Sequence, residues 1–156
     1  MFEVVLTPAE RALLEALNAL GVRYLLVGMG AALIEGAPGT TQDIDLWFGQ
    51  IDADQLREAA RRAGGVYTSG FGLQPPAVGG DGLDRVDLVV TASGLQPFDE
   101  EFKNAREYDV DGVRVKVLPL DRVIVSKRAA KRTKDSAQLP MLEAALAARR
   151  SRTGEE

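Results

Sequence analysis

Residues 24 to 36, Tyr-Leu-Leu-Val-Gly-Met-Gly-Ala-Ala-Leu-Ile-Glu-Gly, run an apolar stretch into two glycines and then into a segment of helical character. Glycine tolerates backbone conformations closed to other residues, so Gly28 can end a buried strand in a tight turn and let a helix begin at once. A chain built this way must lay that helix against a sheet, and the remaining elements have to supply the sheet.

The rest of the chain reads as mixed α/β. Thr7-Pro8-Ala9-Glu10 has the capping-box pattern with proline at the first helical position, and Leu13, Leu14, Leu17 and Leu20 recur at helical spacing before Gly21. Val22 to Val27 reads as a buried strand, Met29 to Glu35 as a short helix, and Ile44 to Phe48 as a second strand. Asp52 caps a helix carrying Leu56, Ala59, Ala60 and Ala63. Glycines and the Pro75-Pro76 pair make 64 to 82 a mobile surface loop around a short strand near Val66 and Tyr67. Val86 to Val90 is the next strand, and Asp111-Gly112 joins Tyr108–Val110 to Val113–Val117 in a hairpin. Helices over Asp121–Arg132 and Ser136–Arg149 complete the order. It predicts an α+β fold, a mixed sheet with helices packed on it, in one domain over residues 1–150 with a frayed tail over 151–156.

Three readings of the glycine turn compete. Gly28 and Gly30 fill two positions of a G-x-G-x-x-G dinucleotide fingerprint, but Leu33 stands where its third small residue belongs and Gly36 cuts the helix short. The turn can instead face a nucleotide phosphate, or simply serve packing. Beyond the short helix stands Thr41-Gln42-Asp43-Ile44-Asp45-Leu46-Trp47-Phe48. Strand alternation sends Asp43 and Asp45 to one face and Ile44, Leu46 and Phe48 to the other. Two neighbouring carboxylates repel and are costly to desolvate, a conflict that a divalent cation resolves. The plainer alternative is that Asp43 ends a loop and Asp45 lies at a solvated sheet edge. A third aspartate stands in Asp84-Arg85-Val86-Asp87-Leu88; Asp87 is embedded in the apolar run and can join the pair, whereas Asp84 faces the other way.

Composition limits the chemistry. With no cysteine and no histidine, thiolate nucleophiles, Ser-His-Asp triads and sulfur- or imidazole-ligated metals are excluded. Carboxylates, lysine, arginine, hydroxyls and a hard oxygen-ligated cation, Mg²⁺ or Mn²⁺, remain. The net charge of −4 argues against a protein-wide grip on nucleic acid. No apolar run approaches a membrane span, so a cytoplasmic protein is expected.

These features together resemble the nucleotidyltransferase superfamily related to DNA polymerase beta: a strand, a glycine turn, a short helix, then Asp-h-Asp-h, here Leu25-Leu26-Val27-Gly28-Met29 and Asp43-Ile44-Asp45-Leu46. Lys127 through Arg132-Thr133-Lys134-Asp135 also resembles a helix of the AbiEii-type branch, which includes toxins of toxin–antitoxin pairs. The resemblance implies transfer of a nucleoside monophosphate from an NTP to a hydroxyl on RNA, protein or a small molecule. It implies Asp43, Asp45 and Asp87 as ligands of Mg²⁺ or Mn²⁺, with Lys127 on the triphosphate. Gly28, Met29 and Thr41 would then line the nucleotide, and an antitoxin or a second copy is the implied partner. Two positions depart from the pattern: Met29 stands where the family usually has Gly or Ser, and Gly39 where many relatives carry arginine. They leave open a non-catalytic binding module on the same fold. Lys127, Lys131 and Lys134 form one helical stripe beside Arg128 and Arg132, as a phosphate contact or a solvated face. Asp135 joins the site or caps the last helix. Trp47 and Phe48 read as core, and Tyr67 and Phe71 as lining of an acceptor cleft.

Overall fold

A computed structural model describes residues 4–40 and 42–154. Helix α1 (Pro8–Ala19) begins at the expected capping box: Thr7 Oγ1 accepts from the Glu10 amide, and the Glu10 carboxylate accepts from the Thr7 amide. Strand β1 (Leu25–Val27) leads without a linker into α2 (Gly28–Ile34), and β2 (Ile44–Trp47) precedes α3 (Ala53–Arg62), capped by Asp52. Next come β3 (Val66–Thr68), β4 (Ala77–Gly79), β5 (Val86–Val89) and α4 (Phe98–Lys103). The hairpin β6 (Arg106–Val110) and β7 (Val113–Val117) turns through Asp111 and Gly112, both at positive φ, and α5 (Leu120–Ala130) and α6 (Thr133–Thr153) close the chain.

The main sheet has the order β5-β2-β1-β7-β6. β1 runs antiparallel to β2 and parallel to β7, β2 is parallel to β5, and β6 is antiparallel to β7. The antiparallel β1–β2 pair rules out a doubly wound parallel sheet and with it the dinucleotide-binding alternative. Leu25, Leu46, Phe48, Val117 and Leu120 lie in a core that α1, α3 and α5 cover.

Several boundaries differ from expectation for identifiable reasons. β1 starts at Leu25 because the Val22 amide is spent on Leu17 O, closing α1 over Gly21. The loop over 64–82 holds a second strand, β4, paired with β3 in a small sheet of its own, and Tyr67 turns into the core instead of lining a cleft. The short α4 was not signalled by periodicity; its Phe98 packs edge-on against Trp47 at 5.2 Å. The last helix begins at Thr133, three residues before the expected Ser136, and continues to Thr153, beyond the expected end at Arg149. Trp47 and Phe48 are core residues, as expected. Among the described residues, no helix is long and apolar enough to cross a membrane.

Candidate active site

The parallel register of β2 on β5 sets Asp45 opposite Asp87, and the antiparallel register of β1 on β2 sets Val27 opposite Asp45. One row across three strands therefore reads Val27, Asp45, Asp87, with the glycine turn directly after Val27. Gly28 sits at φ +65°, and a Cβ built there would lie 2.6 Å from Asp45 Oδ2. The glycine is required twice over, by its backbone angle and by the carboxylate above it. Gly30 differs: its nearest neighbour, Leu26 Cδ1, is at an ordinary 3.5 Å.

Burial pushes the Asp45 carboxyl up to about 6, with the charges of Asp87 and Asp43 adding to the shift and Lys127 opposing it. Asp87, more open at the sheet edge, is also raised, by burial and then by Asp43, while a side-chain hydrogen bond links it to Asp45. The three aspartates expected to converge thus do feel one another. Among the described residues no three acidic side chains are drawn together as a metal cage; Asp45 and Asp87 meet each other instead. Their donor chemistry fits a hard divalent cation: oxygen ligands only, in a field whose repulsion such a charge would reverse.

The cations come from α5 and the junction between α5 and α6. Lys127 is buried, and its Nζ lies 3.2 Å from Asp135 Oδ1. Asp135 is fully buried and also receives Arg132 through Nε at 2.6 Å and the terminal nitrogen at 3.1 Å. Those Arg132 bonds, then Lys127, hold the Asp135 carboxyl below its ordinary range despite burial. Arg132 is also within electrostatic reach of Asp45. Asp135 is not the helix cap; it lies in the first turn of α6 behind Arg132, the residue at the cap position. The expected basic stripe is broken as well, because α5 ends at Ala130 and Lys131 adopts a left-handed conformation, leaving Lys131 and Lys134 exposed to solvent. Arg128 turns away to Glu143. Arg132 belongs to the set that periodicity left open between a phosphate contact and a solvated face; its i,i+3 pairing with Asp135 sets it apart from Arg128.

Met29 packs against the core from the first turn of α2. Gly39 is at φ +117° with open space around it, a conformation in which arginine would be strained. Thr41, expected to line the nucleotide, lies outside the described residues.

The family described as "Nucleotidyl transferase of unknown function (DUF2204)" matches residues 8–153. The chain belongs to this nucleotidyl transferase family. Solved structures similar to it include the antibiotic-resistance factor ANT(2'')-Ia in solution, at TM-score 0.58 and 16% identity over 94% of this chain and 91% of that one. ANT(2'')-Ia in complex with adenylyl-2''-tobramycin is similar at TM-score 0.54 and 16% identity, over 91% of this chain and 95% of that one. At such identity the likeness is one of fold, and it covers the single-domain mixed sheet from end to end. No curated protein matches the sequence.

Proposed function

We propose that this member of the nucleotidyl transferase family is a metal-dependent enzyme that moves a nucleoside monophosphate from an NTP to a hydroxyl acceptor. The observation that carries the reading is the row in which Asp45 and Asp87 face each other beside Gly28, within electrostatic range of Asp43, Lys127 and Arg132. Asp43, Asp45 and Asp87 would hold Mg²⁺ or Mn²⁺. Bound there, such an ion would supply positive charge against the phosphates and lower the pKa of the acceptor hydroxyl.

The residues divide the remaining work. Lys127 and Arg132, fixed by Asp135, place positive charge where the β- and γ-phosphates gain negative charge. Gly28 and Met29 offer first-turn amides that lack partners within α2. The acceptor oxygen attacks the α-phosphorus, the bridging bond to the β-phosphate breaks, and pyrophosphate leaves with the electron pair. The hydroxyl proton passes to the Asp87 carboxylate, which stands at the open edge of the sheet. A toxin–antitoxin association rests on the resemblance of the Lys127–Asp135 segment alone.

The test is transfer of label from α-³²P-NTPs, in Mn²⁺, to fractionated cell extract. Wild type should label an acceptor and Asp43→Ala should not. Absence of both NTP binding and transfer by wild type would overturn the reading.

A further inference from the structure

An open cavity of about 760 Å³ is bordered by the last turn of α2, by β6 and by the end of α6. β6 is the edge of the main sheet opposite β5, so the cavity and the aspartates of β2 and β5 lie on different sides of the molecule. Its size is that of a small-molecule site. The walls are apolar where Val4, Leu33, Ile34 and Val110 line them, and Val5 stands exposed beside these.

The acids of the lining are occupied. Glu35, fully buried, accepts from Arg106 Nη1 at 2.5 Å, from the Leu120 amide at 2.8 Å and from the Tyr108 hydroxyl. Asp111 accepts from Arg11 and from the Leu6 amide, each at 2.9 Å, and the exposed Asp109 accepts the Gly112 amide at 2.8 Å within its own turn. The arginines are not. Arg149 donates through Nη1 to the Glu35 carbonyl at 3.0 Å and through Nη2 to the Tyr108 hydroxyl at 3.3 Å, but its buried Nε has no hydrogen-bond partner among the described residues. Buried donors are rarely left so, and one on a guanidinium is costly to strand. Arg152, one helical turn on, is exposed and makes no ion pair with any described residue. Its Nη2 would stand 3.3 Å from a Cβ built on Gly36, so the guanidinium lies over the end of α2, at the cavity.

We propose that this cavity binds a small amphipathic anion, an apolar chain or ring ending in a carboxylate or a phosphate. The head group meets Arg152 and Arg149, whose planar forks suit either oxyanion, and the apolar body lies on Leu33, Ile34 and Val110. A bare inorganic anion would leave the apolar walls wet, and a neutral amphiphile would leave both arginines unanswered. The site is separate from the transferase centre and does not rest on that reading. Its wall nevertheless touches the joint at which Glu35 holds the first amide of α5, and so joins the two helices that carry Gly28 and Lys127.

The experiment is calorimetric titration of the full chain with decanoate, decyl phosphate and uncharged 1-decanol, each below its aggregation limit. Saturable one-to-one binding of at least one of the two anions is expected, about tenfold or more tighter than decanol. Arg152→Glu, at an exposed position in the last turn of α6, should weaken the anion about tenfold with the melting temperature unchanged, and Arg152→Lys should recover part of the loss. Amide shifts on binding should gather at residues 33–36, 108–110 and 149–152. Failure of both anions to saturate, decanol bound as tightly as the anions, binding unchanged in Arg152→Glu, or shifts centred on Gly28 and Asp45 would each overturn the inference and leave the transferase reading standing.

Discussion

Replacing Asp45 with asparagine should make the metal-free protein more stable, and only above mildly acidic pH. The Asp45 carboxyl is raised in the folded state from 3.8 to about 6, by burial first and by Asp87 and Asp43 next. A raised acid stabilises the fold fully below its unfolded pKa and loses that contribution as pH climbs through the folded value. About two units at ~1.4 kcal/mol each come to ~3 kcal/mol of strain once the group is charged. Asp45 is only half-buried, so solvent screening reduces this to roughly 2 kcal/mol. Asparagine keeps the shape and removes the charge.

The assay is thermal unfolding of wild type and Asp45→Asn in EDTA across pH 4 to 8. The variant should melt about 4–8 °C higher at pH 8, on a scale of ~2–4 °C per kcal/mol for a chain of this size, and the two curves should merge near pH 4. Millimolar Mn²⁺ should reverse the order at pH 8, since a ligand at about 100 times its Kd adds ~2.7 kcal/mol to wild type alone. If the variant gains nothing in EDTA at pH 8, or gains as much at pH 4, the three aspartates do not repel one another as argued.

Gly28→Ala should cost ~1–2 kcal/mol for its left-handed backbone, and more for the 2.6 Å approach to Asp45, whereas Gly30→Ala in the same helix should be neutral or stabilising by up to ~1 kcal/mol. Urea titrations giving equal midpoints for the two variants would contradict this. Asp135→Asn leaves Lys127 buried without its counter-ion and should cost about 3 kcal/mol at pH 7. Because the Asp135 carboxyl is depressed in the fold, its contribution is present above its unfolded value and fades as pH falls, so the gap to wild type should narrow on acidification; a gap that widens refutes the pairing. Glu35→Gln should cost ~3–5 kcal/mol by stranding Arg106 and Arg149, which amide exchange would register as faster opening of β6 and α6.

Short-range chemistry decided what could be read from the sequence. The Thr7–Glu10 capping box, the Asp52 cap and the Asp111-Gly112 turn each depend on residues within four positions of one another, and each formed as expected. Asp45 was legible because strand alternation sets it apart from Ile44 and Leu46, and Asp87 because an apolar strand around an acid is unusual; Asp43 stands one residue before β2, where alternation does not fix its face. Glu35 with Arg106 and Glu10 with Arg85 were hidden, since the partners are 71 and 75 positions apart and no local pattern joins them. β4 was hidden by the glycines and prolines around it, which locally favour turns.

The same contrast separates scaffold from site. Glu10, Glu35, Glu101 and Asp135 are buried, and each meets an arginine or lysine within 3.2 Å. Those pairs stitch α1 to the residue before β5, the C-cap of α2 to β6, α4 to α5, and α5 to α6, and their charge is spent on holding elements together. Asp45 is as well placed in the sheet to be paired in this way, yet its hydrogen-bonded neighbour is another carboxylate, and Lys127, the cation that opposes its shift, is bound to Asp135. A fold that neutralises four acids across distant parts of the chain, but sets a fifth against its own kind, keeps that negative charge for something the chain itself does not contain.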